Sequence, residues 1–218
     1  MLQPHFSRRL VAAICGFVLF CALAAAGKEF VKPAAQKATT YTAHDQHSNE
    51  GVTVAVEPYD TPDKSEIFTV NYKDLDMLPL LVVITNDGDQ PVTLSQMQVR
   101  LVTGSRAKLS AASSDDLYRR LSHPSARTTP LPLPIPLPGK KVKGTVSTKQ
   151  LNEIQSALFS AKAVEPHGTQ SGFVFFDITG VSRPLAGSHF YLDGARDSKG
   201  SELLYFDVAM DKSAASQP

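Results

Sequence analysis

"LPLLVVITNDGDQP", Leu78 to Pro91, is the stretch on which the fold turns. It runs apolar from Leu78 to Ile84 without alternation, the pattern of a central strand covered on both faces. The "NDGDQP" after it is turn chemistry, and Asp87-Gly88 predicts a hairpin. Beyond it Val92 and Leu94 share one parity, while Met97, Val99 and Leu101 share the other. A strand cannot present both sets to one core, so the chain must bulge or change sheets near Ser95-Gln96.

Upstream, Val52, Val54 and Val56 alternate with Thr53 and Ala55, and Phe68, Val70 and Tyr72 alternate with Thr69 and Asn71. Both patterns predict strands with one wet face. Downstream, "GFVFFDIT" is apolar on both parities and predicts a buried strand. "HFYLDGARDSKGSELLYFDVAM" predicts two strands joined through "DSKG", the last carrying Leu204, Phe206, Val208 and Met210 as a stripe.

Two helices interrupt the pattern. Ser114 is placed to cap "DDLYRRL", with Asp115 and Asp116 at the positive end of the helix dipole and Arg119 and Arg120 at the negative end. Ser147 and Gln150 form a capping box for "TKQLNEIQSALFSAK", where Leu151, Ile154 and Leu158 share a face. The resulting fold class is mainly β: an immunoglobulin-like β-sandwich of about seven strands with two short inserted helices.

Between the helices lies "PLPLPIPLPGKK", Pro130 to Lys141. Proline at every second position does not keep to one face of a three-fold polyproline helix, whereas a flatter extended segment puts the prolines on one side. Leu131, Leu133, Ile135 and Leu137 then share the other side. They either pack on the body as an edge segment, its missing amides blunting sheet pairing, or serve as a partner-binding arm rimmed by Lys140, Lys141 and Lys143.

At the N-terminus Arg8 and Arg9 precede an uncharged run, Leu10 to Ala26, that closes on "AAA". That is the pattern of a secretory signal peptide over residues 1–26, cleaved after Ala26, with Ala22 and Ala24 supporting an earlier cut. The alternative is an uncleaved anchor, for which the run is marginal in length. Residues 27–42 read as a flexible tether, 43–211 as the folded domain with its Pro-rich segment at 130–138, and 212–218 as a disordered tail. The protein is thus expected to be exported, periplasmic or extracellular.

Both cysteines, Cys15 and Cys21, fall inside the signal, so the mature chain has no thiol chemistry and no disulfide. Removing Arg8 and Arg9 takes the formal net charge from +1 to −1, which offers no electrostatic footprint for nucleic acid or an anionic membrane.

The most chemically suggestive run is "AHDQHSNEGV", Ala43 to Val52. His44 and His47 could open a copper or zinc site with ligands drawn from Asp45, Glu50, His123, His167, His189, Met77 or Met97. An extended chain, however, points residues three apart to opposite sides, which leaves two solvated histidines at the mouth of a strand. "NDGD" lacks the further ligands of an EF-hand in register. There is no G-x-S-x-G elbow, H-E-x-x-H, Walker loop or dinucleotide fingerprint. No catalytic residue or cofactor is expected.

The order "VTVAVEPYDTPDK", "LPLLVVITNDGDQPVTLSQMQVRLV", "EPHGTQSGFVFFDI" and "HFYLDGARDSKGSELLYFDV" resembles uncharacterised bacterial exported proteins with an immunoglobulin-like, telokin-like sandwich. The resemblance spans Val52 to Val208 and implies an envelope or extracellular binding module without catalytic residues. The disulfide and core tryptophan of true immunoglobulin domains are absent. The expected function is a non-enzymatic exported binding or structural module that engages an envelope or extracellular protein; the alternative is a periplasmic metal-binding protein using His44 and His47.

Overall fold

The structure is a computed structural model that describes residues 28–123 and 146–211. Leu78 to Ile84 lies within the longest strand, β3 (Met77–Asn86), every residue of which is buried. It pairs antiparallel with β2 (Val52–Pro58) on one side and β8 (Thr169–Asp177) on the other. With β1 (His44–His47) at the edge, they form a sheet of order β1-β2-β3-β8. A second four-stranded sheet has the order β10 (Phe206–Ala209), β9 (His189–Asp193), β5 (Gln98–Val102), β6 (Lys108–Ser110). A short pair joins β4 (Val92–Thr93) to β7 (Ala163–Val164). The described residues are therefore mainly β, with ten strands in three antiparallel sheets and three helices. Two sheets enclosing one core are consistent with a sandwich.

The continuous apolar run of β3 has a direct cause: the first sheet is covered on both faces. Leu78, Leu80, Val82 and Ile84 meet Leu101, Phe190, Leu192, Phe206 and Val208 of the second sheet in one core. Met77, Leu81 and Val83 belong to a second core on the opposite face, with Phe173 and Phe175 of β8 and Leu117 and Ile154 of two helices. Each parity of "GFVFF" thus feeds a different core. Truncating a ring such as Phe173 or Phe206, both fully buried, to alanine costs about 3 to 5 kcal/mol.

The three helices are α1 (Pro62–Ser65), α2 (Ser114–Ser122) and α3 (Thr148–Ala157), and the last two cover that second core. The capping box of α3 at Ser147 and Gln150 forms as expected. That of α2 is one residue earlier than expected, on Ser113 with Asp116, because Ser113 holds the extended backbone a cap requires. Helix α3 stops at Ala157, short of Lys162: Leu158 turns extended and Phe159 donates its N–H to Phe173 O at 2.9 Å. The segment after the helix thereby shields the outer edge of β8.

Several expectations are corrected. Phe68 to Tyr72 is not a strand but a loop entering a 3-10 turn at Tyr72–Leu75. Its alternating apolar side chains are buried all the same, because β2 already has β1 and β3 as neighbours and the loop packs on the sheet face instead of joining an edge. The Asp87-Gly88 turn forms, with Gly88 N–H donating to Asn86 Oδ1 at 3.0 Å, but it makes no hairpin. The next strand, β4, pairs with β7 because Asn86 Nδ2 turns inward to Gln90 O and Val164 O. The parity switch near Ser95-Gln96 is a change of sheet, from the β4 pair to β5.

The stretch expected as a tether lies against the body. Phe30 stacks on Phe68 at 5.5 Å, Ala38 is fully buried, and Ala38 N–H donates to Thr85 Oγ1 at 2.9 Å. Residues 1–26, expected as a signal peptide, the Pro-rich segment with Leu131, Leu133, Ile135 and Leu137, and residues 212–218, expected as a tail, lie outside the described residues.

Candidate functional site

His44 and His47 both lie on β1, which pairs with β2 through a turn closed by Gly51. Gly51 has φ +67°, a conformation other residues adopt only at a cost. As the spacing predicts, the two side chains part. His44 Nδ1 contacts Tyr41 O at 2.7 Å. His47 turns toward the second sheet, stacked on Phe206 with centroids 4.1 Å apart. Only 17% of its side chain is exposed, which corrects the expectation of a solvated strand mouth.

His47 is held between two carboxylates, Nε2 to Asp45 Oδ2 at 3.2 Å and Nδ1 to Glu50 Oε2 at 2.9 Å. Both nitrogens donate at once only in the doubly protonated ring; the neutral ring donates one and turns a lone pair to the other. Each carboxylate also accepts a backbone N–H from the chain entering β10: Asp207 to Asp45 Oδ2 and Leu204 to Glu50 Oε1, both at 2.9 Å. The run thus closes the seam between the sheets, with side-chain oxygens standing in for a ladder that two diverging edges cannot form.

The other histidines and methionines considered as ligands do not converge on it. His167 pairs with Asp89, His189 with Asp207, and His123 ends α2. Met77 is buried in the second core, and Met97 packs against the first. Among the described residues no group of three or more His, Cys, Asp or Glu is arranged to hold a metal ion.

The seam holds the backbone at Leu204 and Asp207; within this segment Phe206 is buried, while Leu204 and Tyr205 are presented to solvent. Leu204 is 69% and Tyr205 59% exposed, side by side. Leu204, expected to point inward in the final stripe, lies before the strand begins at Phe206. Tyr205 meets Tyr191 of β9, centroids 6.1 Å apart, and Tyr191 runs beside His189 at 6.1 Å. The Arg100 guanidinium lies over the Tyr191 ring at 5.7 Å, a cation–π geometry. Arg100 also pairs with Asp193 at 3.0 Å, and His189 with Asp207 at 2.6 Å. Partial burial first, then the Asp207 carboxylate, push the Tyr191 hydroxyl up, so it remains a donor at neutral pH.

These side chains share the outer face of the second sheet because Phe190, Leu192, Leu101, Phe206 and Val208 take the inner one. Sequence reasoning missed them. The signal was there: in "FYL" and "YFDV" an aromatic occupies the parity opposite the core residues.

A cleft of about 400 Å³ opens at one end of the second core, lined by Tyr59, Phe68, Tyr72, Met77, Ile178 and Val181 among others. Burial, then Glu57, raises Tyr59 to about 12. Burial, then the Glu153 carboxylate, pushes Tyr72 up further. Glu153, on α3 and only 2% exposed, accepts from Thr69 N at 2.7 Å, Val70 N at 3.4 Å and the Thr69 hydroxyl. It pins the covering loop to the helix and faces no reacting group.

No known protein family, curated protein or solved structure matches this chain.

Proposed function

We propose that this protein is an exported, immunoglobulin-like binding module of the bacterial envelope that engages its partner through the outer face of the second sheet, around Leu204, Tyr205, Tyr191 and Arg100. The observation that carries the reading is the exposure of Leu204 and Tyr205 on a segment held by two carboxylate-capped amides. Large apolar side chains presented together on a held backbone mark interaction surfaces, and tyrosine and arginine are enriched there. Export is supported by the charged start, apolar run and small-residue ending of residues 1–26. Among the described residues no helix is long and apolar enough to cross a membrane.

The test is complementation of a deletion strain, with fractionation to place the product. Leu204→Asp and Tyr205→Asp should fold, reach the envelope and fail to complement, while His44→Ala complements. Full complementation by both aspartate variants overturns the reading.

A further inference from the structure

We infer that His47 and its two carboxylates are a proton-operated latch between the sheets: the doubly protonated imidazole closes both ties to the segment entering β10, and loss of one ring proton opens one of them. The latch is read from the seam alone; its bearing on binding, through Leu204 and Tyr205, rests on the face proposed above.

Geometry decides first. Both nitrogens of one imidazole face carboxylate oxygens, Glu50 Oε2 at 2.9 Å and Asp45 Oδ2 at 3.2 Å. The ring satisfies both only when it carries two protons, and a lone pair turned on a carboxylate at such a distance is repelled. The buried Phe206 ring lies against one face of the imidazole at 4.1 Å and fixes the plane in which the nitrogens point.

Charge comes next. Among the described residues no lysine or arginine pairs with Asp45 or Glu50, so the protonated ring is the cation open to them there. The other groups packed on β1 do not compete. Opposite His47 and Gln46 on β2 stand Val52 and Thr53, and Glu57 farther along is held by Lys64. The 3-10 turn Ala38–Thr40 carries no titratable side chain, and Lys37 before it pairs with Asp87. His44 faces Tyr41 O, and on β10 the Asp207 carboxylate is taken by His189.

Each carboxylate in turn holds a backbone amide of the opposite edge, Asp45 that of Asp207 and Glu50 that of Leu204. A proton on His47 is thereby coupled to the backbone that carries Leu204 and Tyr205. Both ties require the charged ring, so the latch is closed at acid pH, and one tie loosens as the pH rises through the range where imidazoles titrate, about pH 5 to 8.

The experiment is hydrogen exchange of the full chain followed by NMR across that range, each amide rate divided by that of an unstructured chain at the same pH, with His47 followed through its ring C–H resonances. The expected result is that protection at the Leu204 or the Asp207 amide falls about tenfold as His47 loses its proton, the equivalent of one hydrogen bond to a charged group. Ala112, whose amide donates to Phe175 O at the far edge of the first sheet, should not respond. His47→Gln, which cannot titrate, should abolish the response, and His189→Gln, which removes the neighbouring titration, should keep it. Asp45→Asn and Glu50→Gln should each flatten it, which keeps the test decisive where His47→Gln fails to fold. Protection that stays constant through the His47 titration in the wild type, or that changes equally in the variants at positions 45, 47 and 50, overturns the latch. Complementation by Leu204→Asp and Tyr205→Asp is scored separately, so the latch and the binding face stand or fall apart from each other.

Discussion

The imidazole of His47 lies almost parallel to the ring of Phe206, at 17° with centroids 4.1 Å apart, and this contact joins the edge of one sheet to the edge of the other. Around it Asp45 and Glu50 bind both the imidazole and the backbone of the opposite edge. His47→Ala is expected to lower stability by about 2 kcal/mol, since it removes the ring stacked on Phe206 together with its contact to the flanking carboxylates. His44→Ala, which loses one contact to a carbonyl, should cost about 1 kcal/mol or less. Urea denaturation of the two variants measures the difference; equal costs would contradict the seam role of His47.

The carboxylates can be separated by residue. Glu50→Ala should speed hydrogen exchange at the Leu204 amide, and Asp45→Ala at the Asp207 amide, each with little effect on the other. Amide-resolved exchange read by NMR tests this pairing directly.

Glu153 is the buried tie between α3 and the loop over the aromatic core. Glu153→Ala removes the acceptor of the Thr69 and Val70 amides, the second of them buried, and should cost about 1 to 3 kcal/mol. Glu153→Gln keeps an acceptor oxygen and should cost less than half of that in the same urea titration.

The Asp116 carboxyl is held below its ordinary value of 3.8, first by the Ser113 hydroxyl and then by the Ser113 backbone N–H. A depressed folded-state value means that its contribution to stability is fully present above about pH 3.8. It is lost as pH falls through the lower folded value. Asp116→Asn should therefore flatten the pH dependence of stability below pH 4 and leave its shape at neutral pH unchanged. Ser113→Ala should cost about 1 kcal/mol at neutral pH by loss of the cap.

Gly194 and Gly200 both have positive φ, at +77° and +82°, but differ in space. A Cβ at Gly194 would stand 2.2 Å from Gln96 O, whereas at Gly200 nothing lies within 4 Å. Gly200→Ala should cost about 1 kcal/mol from backbone conformation alone. Gly194→Ala should cost clearly more, because the backbone of the neighbouring loop must move. Thermal melts of the two variants side by side decide whether close approach or conformation governs these turns.

The sequence by itself determined the parts of this protein that depend on local pattern. The run Leu78 to Ile84 has the pattern of a strand covered on both faces, and the parity switch near Ser95-Gln96 called for a bulge or a change of sheet. Ser147 and Gln150 could cap a helix wherever it was placed. Period and capping are short-range properties, carried by neighbours along the chain.

Tertiary structure decided the rest, because it concerns which edge meets which. Phe68, Val70 and Tyr72 alternate like a strand, yet they pack on the face of the first sheet, in the second core, and pair with no strand. Asp87-Gly88 has hairpin chemistry, but Asn86 turned inward and sent the chain to another partner. His47 carried the same letters as a metal ligand or a solvated side chain. Its role came from Phe206, Leu204 and Asp207, far along the chain, which only the meeting of two sheets could bring to it.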